Sequence, residues 1–431
     1  MIAANIGKVF LDAYNEKYKS NYSAKKFFIE KYFQLFFNDG KYMQWVTNSP
    51  FVQGLKKGIL PTESERKLKL DALIEKISKN EADASIAIGF PSLDTTATTS
   101  GQITNMNLPL KENEVYLSWI GSGLGVGVQS GLSLLFDNKQ ILLDIFQGWE
   151  FYRGYLNKMP DLRGNQINTW NGQWLAHRYN NRTYDEFDPT ASFSPFSPIK
   201  GGGMEINTQS WLKVNIGIAR IHPDSVITAY VYSLGQTNIT VGFIPFELPK
   251  IRTPFELFHK YFGEIYKERY DDLFGTAFGF TKVCQMGAVG VNALEPKGFR
   301  DCLDKGTIPK YNEKDEEKKL SFNTYQIWLL SMLNNEQLWE KSLHIATLLN
   351  TYSTCDKNAK KTKSQQVTNL LGSVNKRQFI EGLTTIVKNI EDPETLQSFT
   401  EIASSINAMP IDNVPYFLTL IRFQYAVVNK S

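Results

Sequence analysis

Apolar positions recur at helical spacing toward both ends of this chain and at mixed spacing in its middle. Between residues 24 and 38, Phe27, Phe28, Tyr32, Phe33, Phe36 and Phe37 fall on one wide helical stripe, the pattern of rings that face a core. Thr62 followed by Glu65 predicts a capping box that opens a helix running to residue 79. Residues 1–80 therefore read as helical. They also read as basic, with 14 Lys/Arg against 8 Asp/Glu.

From residue 84 to about 309, short apolar runs alternate with Gly, Asn, Ser and Pro. Residues 115–120 and 132–136 read as strands. Asp137-Asn138 then caps a helix carrying Ile141, Leu142, Ile145, Phe146, Trp149 and Tyr152. Val214, Ile216 and Ile218 alternate with Lys213, Asn215 and Gly217, a period-two pattern that predicts a strand. Residues 225–233 and 238–244 read as a hairpin about Gly235-Gln236-Thr237, and 255–273, after Pro254, returns to helix.

A charged break at 312–319 predicts a domain boundary. Beyond it, 322–333, 337–350, 379–390 and 415–428 all carry helical periodicity, and Asp392 before Pro393 starts another helix. The expected fold class is α+β. A large irregular mixed α/β domain over 1–311 precedes a small helical bundle over 312–431.

With 431 residues, 42% apolar and 13% aromatic, the chain has ample material for packed cores. The net charge is only +3, so bulk charge does not argue for nucleic-acid binding, and any such case rests on local clusters. Cys284, Cys302 and Cys355 lie far apart with no neighbouring His, which argues against a structural zinc site and fits a reducing cytoplasm. No run approaches ~18 apolar residues, and the first residues lack the basic-then-apolar layout of a signal peptide. A cytoplasmic protein with no membrane partner is expected.

Enzyme signatures are weak. Gly121, Gly123, Gly125 and Gly127 alternate, but Val126 and Val128 stand where a dinucleotide fingerprint needs glycine, and no Gly-Lys-Ser/Thr follows. The run reads either as tight backbone packing or as a loop that approaches a sugar-phosphate chain. Ser130 misses the spacing of a nucleophile elbow. His177, His222, His259 and His344 are isolated, and the acidic stretch at 184–188 has no His partner. No catalytic residue, metal or cofactor is predicted.

Three stretches carry recognition chemistry. Residues 163–200 interleave Asn165, Gln166, Asn168, Asn171, Gln173, Asn180 and Asn181 with Trp170, Trp174, Tyr179, Arg163, Arg178 and Arg182. Amides can read base edges, Arg can fork onto guanine or phosphate, and rings can stack. Sugars are bound by the same residue types, and Asn turns can also fold such a stretch on itself. Residues 93–107 add Thr98, Thr99, Ser100, Gln102 and Asn105. In the helical part Lys357, Lys360, Lys361, Lys363, Lys376 and Arg377 face only Asp356 nearby. They are a phosphate-neutralising corner or a solvated lysine loop.

The Asn48-Ser49-Pro50-Phe51 turn, Thr98-Thr99-Ser100-Gly101-Gln102, Trp119-Ile120-Gly121 with its glycine run, and Thr169-Trp170-Asn171-Gly172-Gln173-Trp174 sit within this two-part architecture. In these features the chain resembles the large subunit of a type I CRISPR effector complex (Cascade), most like type I-B forms. It is short for that family and lacks the paired Cys-x-x-Cys of some members.

The resemblance implies a non-catalytic subunit partnered with guide RNA, target double-stranded DNA, other Cascade subunits and a helicase-nuclease. Such a subunit reads a short protospacer-adjacent motif while base pairing supplies the long sequence specificity. On that reading Asn165, Gln166, Asn168, Asn171, Gln173, Arg178, Thr99 and Gln102 probe the motif. Lys200 with Gly201, Gly202 and Gly203 approaches the backbone or wedges the strands, and the lysine corner carries single-stranded DNA. The rival expectations are a carbohydrate-binding or carbohydrate-active protein using Trp170, Trp174 and the amides, and a cytoplasmic scaffold.

Overall fold

A computed structural model describes residues 2–45, 49–52, 61–79, 111–180, 183–233, 239–263, 277–307, 310–355 and 359–429. The fold is α+β, mostly helical with a small antiparallel sheet. It divides into two compact units. One is Met1–Pro249 with Phe280–Val289, and the other is Lys250–Gly279 with Gly290–Ser431. The charged break at 312–319 lies inside the second unit, where Asp315 caps a long helix.

The first unit opens with α1 (Ile2–Tyr18). A second helical stretch follows as α2 (Ala24–Phe27), a π-helical turn (Phe28–Tyr32) and α3 (Phe33–Phe36). The six rings of its stripe are all buried, as periodicity predicts. Tyr32 and Phe36 stack with centroids 4.0 Å apart, and Trp149 meets both edge-on. In α4 (Glu63–Ser78) the Thr62–Glu65 capping box forms in both directions.

Helix α5 (Glu112–Ser122) lies where a strand was expected at 115–120. The Glu114 carboxylate accepts from the Lys111 N–H at 2.9 Å and helps start it. Every residue from Val115 to Ser122 is buried, so the helix has no polar face and its sequence shows no 3.6-residue period. Helices α1 and α5 cross at backbone contact. A Cβ on Gly7 would lie 2.0 Å from the Leu117 carbonyl oxygen, and one on Gly121 2.1 Å from that of Ala3.

The four-stranded sheet has the order β1 (Val126–Val128), β2 (Leu132–Phe136), β5 (Val226–Ser233) and β6 (Ile239–Glu247), all antiparallel. The predicted strand at 132–136 and the predicted hairpin strands are present. The hairpin's turn at 235–237 falls outside the described residues. Between β2 and β5 come α6 (Lys139–Lys158), capped by Asn138 as predicted, and α7 (Ile167–Arg178). A two-stranded hairpin of β3 (Phe196–Pro198) and β4 (Met204–Ile206) follows, then α8 (Trp211–Ile221). Helix α8 replaces the strand expected at 214–218. Ser210 caps it, and Trp211, Leu212 and Val214 through Ala219 are buried while Lys213 and Arg220 share one more exposed face, a helical period that the alternating window 213–218 is too short to show.

Helix α9 (Leu248–Phe262) begins seven residues earlier than expected and contains Pro254. The rest of its predicted span lies outside the described residues. The short α10 (Phe280–Cys284) returns to the first unit.

In the second unit, after α11 (Arg300–Asp304), come α12 (Glu316–Leu333), α13 (Gln337–Thr354), α14 (Lys360–Leu371), α15 (Lys376–Val387), α16 (Pro393–Ala408) and α17 (Val414–Val428). Asp392 caps α16 as predicted, accepting from the Thr395 N–H at 2.8 Å. Helix α17 is buried from Phe417 to Ala426 and packs on α12 and α13. Its Arg422 is fully buried and donates to the carbonyls of Cys302 and Ser373. Burial lowers its pKa to about 10.

Candidate nucleic-acid interface

Helix α7 carries most of the amides singled out by sequence, and the fold uses them internally. Asn171 is fully buried, and its Nδ2 donates to the carbonyls of Gly123 and Gly125, both at 2.8 Å. It therefore pins the glycine run rather than reading a base. The run is close packing throughout. Gly123 sits against Tyr32, Phe36 and Trp149, and Gly127 against the backbone of Asn168 and Thr169. Asn168 donates to Ser133 Oγ at 3.2 Å, beside Tyr232 and Gly125. Gln173 donates to the Asn207 carbonyl and accepts from Gln209.

Arg178 is likewise structural. Its Nε lies 3.0 Å from a carboxylate oxygen of Asp144, whose side chain is 3% exposed, and it also donates to Tyr184. Tyr179 donates to the other Asp144 oxygen at 2.8 Å, and Trp174 Nε1 to the Asp144 carbonyl. A charge-assisted pair with further donors is what lets this carboxylate stay buried. Trp170 and Trp174 are fully buried, so neither ring can meet a sugar or a base. Asn171, Trp170 and Trp174 are thus sealed from a strand or a sugar, while Asn168, Gln173 and Arg178 are half-buried and engaged by hydrogen bonds inside the fold. Thr99, Gln102 and Lys357 lie outside the described residues.

Asn165 and Gln166 have a different setting. Asn165 sits at φ 61°, a left-handed position Asn tolerates, and its Oδ1 accepts from the Trp45 N–H at 2.8 Å. Gln166 Oε1 accepts from the Ile206 N–H at 3.3 Å. Both line an open cleft of about 590 Å³ with Lys41, Tyr42, Trp45, Arg163 and Glu205. Trp45 is 38% exposed. Lys41 donates to the carbonyls of Met159, Pro160 and Leu162 and forms one wall; burial lowers its pKa, opposed by Asp161 and Asp39. Arg163 is exposed, and neither its guanidinium nor the Glu205 carboxylate forms a hydrogen bond or ion pair among the described residues. Sequence reasoning found Arg163, Asn165 and Gln166 but missed Trp45 and Glu205, which lie 120 and 40 residues from Asn165 and carry no local signature.

The β3–β4 hairpin rises from the same cleft. The Arg163 N–H donates to the Met204 carbonyl at 2.9 Å, and the Met204 N–H to that of Asp161 at 2.8 Å. The hairpin tip is Lys200-Gly201-Gly202-Gly203, with all three glycines at φ between 95° and 108°. Only glycine adopts three such residues in succession without strain. Lys200, Gly201 and Gly202 are exposed, and a Cβ on Gly201 or Gly202 would meet nothing within 4 Å.

The lysine corner of the second unit is partly engaged. Lys376 Nζ donates to the carbonyls of Asn407 and Met409 at the end of α16. Arg377 pairs with Glu381, and Lys363 lies over the Tyr352 ring near Cys355. Lys360 and Lys361 remain exposed in the first turn of α14. A second open groove, about 670 Å³, runs along α16 between Pro393 and Ser405, but Glu401 is its single charge and it has no ring.

Among the described residues no three of His, Cys, Asp and Glu gather in a way that could hold a metal. No helix among them is long and apolar enough to cross a membrane. Set against protein-family models, curated proteins and solved structures, the chain matches none.

Proposed function

We propose that this chain is a cytoplasmic, non-catalytic nucleic-acid-binding subunit of an RNA-guided DNA surveillance complex, in the role of a type I large subunit. It reads a short protospacer-adjacent motif, helps open the duplex and recruits the helicase-nuclease. The observation that supports this reading is the exposed Lys-Gly-Gly-Gly hairpin tip rising from a cleft that holds an exposed tryptophan and an unpaired arginine. A bare glycine tip lets backbone approach a sugar-phosphate chain closely, and a ring and a guanidinium are what an unstacked nucleotide meets.

In this reading Lys200 and Gly201 to Gly203 meet or split the strands. Asn165 and Gln166 face the bases, Arg163 meets a phosphate, and Lys360 and Lys361 hold backbone. A subunit also has protein neighbours. On the β5–β6 ribbon Phe243 is about two-thirds exposed and packs on its cross-strand partner Tyr230, an apolar spot suited to such a neighbour.

Native affinity purification of the tagged chain is the test. Co-purification of a discrete guide RNA together with other subunits supports the reading. A chain recovered alone, with no affinity for RNA, single-stranded or duplex DNA at low salt, refutes it.

A further inference from the structure

The cleft beside the hairpin holds two opposite charges that do not neutralise one another. Arg163 and Glu205 line one cavity of about 590 Å³, yet no ion pair joins them. A carboxylate and a guanidinium left apart in one cleft leave room for a ligand that satisfies both. The cavity falls within the ordinary range for small-ligand sites, roughly 300–1,000 Å³.

The remaining walls narrow the ligand's chemistry. Trp45 offers a partly exposed ring, and its backbone N–H is bonded to Asn165 Oδ1. Asn165 and Gln166 have their oxygens engaged by backbone N–H groups, so what they have left to offer is their NH₂ groups, as donors. The ligand thus needs a flat face for the ring, donors for the carboxylate, acceptors for the amides, and an anion for Arg163.

We infer that this cleft binds one unstacked guanine nucleotide, Glu205 accepting from the base's N1–H and N2–H₂ donors and Arg163 meeting its phosphate. The inference rests on the strand-binding reading above and adds a base identity to it. Adenine turns an acceptor, N1, toward the same carboxylate and supplies no second donor. Uracil and thymine offer one donor flanked by acceptors. Guanine alone matches an unpaired carboxylate with two adjacent donors. Its O6 and N7 are acceptors, the groups that free amide NH₂ donors seek.

The experiment uses the full-length chain at low salt and fluorescence anisotropy of 12-nucleotide thymidine strands carrying one central dG or one central dA. The dG strand is expected to bind about tenfold to a hundredfold more tightly. Glu205→Gln removes that preference while leaving affinity for the dA strand within about twofold. Arg163→Ala weakens both strands alike and lowers the salt slope by about one. Competition with guanosine 5′-monophosphate against adenosine 5′-monophosphate separates a free nucleotide from a base in a strand. Guanosine monophosphate competing more tightly than the dG strand binds assigns the cleft to the free nucleotide, and the reverse assigns it to the strand.

Equal binding of the dG and dA strands overturns the inference and leaves strand binding standing. So does a guanine preference that persists in both Glu205→Gln and Glu205→Ala, each shown to be folded by its unfolding transition. Loss of all binding by the unaltered chain overturns both readings.

Discussion

Helix α7 and the β3–β4 hairpin are neighbours in sequence and opposites in use. Both come from the stretch 163–206, dense in amides, rings and cations. In α7 the side chains turn inward: Asn171 onto the glycine run, Arg178 onto Asp144, and Trp170 and Trp174 into the core. In the hairpin the tip turns outward, and a Cβ on Gly201 or Gly202 would meet nothing within 4 Å. The residue types that read a base are also the types that close a loop, because both tasks need hydrogen bonds at fixed geometry. What separates them is whether the partner is already inside the molecule.

The contrast is sharpest in stability, and Arg178→Ala gives the largest expected effect. It leaves the Asp144 carboxylate buried with only neutral donors, at a cost of about 3 kcal/mol to the first unit, read by denaturant unfolding. Asn171→Ala follows, at about 2–3 kcal/mol, since two backbone carbonyls lose their donor and a small cavity opens. A loss below about 0.5 kcal/mol in either variant, the range of an ordinary surface change, together with lost strand binding would break the comparison and return α7 to the interface.

Much of the fold was legible from pattern. The aromatic stripe, the capping box at Thr62, the N-cap at Asp392, the strand at 132–136 and helices α12, α13 and α15 to α17 follow from local signals that agree with their tertiary setting. Helices α5 and α8 were not legible, for different reasons. Val115–Ile120 is buried on every side and offers an apolar run that fits either element, whereas in α8 the short window 213–218 alternates and hides the helical face that exposed Lys213 shares with half-buried Arg220. The site was half legible. Arg163, Asn165 and Gln166 stand in the conspicuous stretch, but Trp45 and Glu205 reach the cleft through the hairpin's pairing and the Trp45–Asn165 bond. Those are long-range facts that no local window contains.

A smaller effect distinguishes the inward-facing network by pH. Burial lowers the pKa of His177 below its ordinary value of 6.5, opposed by the Pro189 carbonyl. Burial also lowers that of His222, opposed by Asp144. Tyr184 and Phe193 face the first ring and Tyr179 the second. A base whose folded pKa is depressed binds fewer protons in the fold. Its stability is complete above pH 6.5 and is lost as pH falls through the folded value. Both residues are half-buried and solvent still screens them in part, so the first unit's melting point is expected to fall by only about 2 °C between roughly pH 7 and 5 through these groups. The double change His177→Gln and His222→Gln removes that part of the fall. An unchanged pH profile in the double variant would show that neither ring contributes.

The hairpin supplies the opposite limit, where stability is silent and binding answers. Lys200 is exposed beside three glycines and makes no hydrogen bond or ion pair among the described residues. Lys200→Ala is therefore expected to move unfolding by less than about 0.5 kcal/mol. If the tip meets a sugar-phosphate backbone, the same change weakens all strand sequences alike and lowers the salt slope by about one, because one fewer counterion is released. A duplex with 2-aminopurine beside the motif reads strand opening separately, so that a wedge loses opening even where salt restores equal occupancy. If Lys200→Ala leaves affinity, salt slope and opening untouched, the exposed tip has no role at the strands, and exposure by itself no longer marks what this fold reserves for a partner.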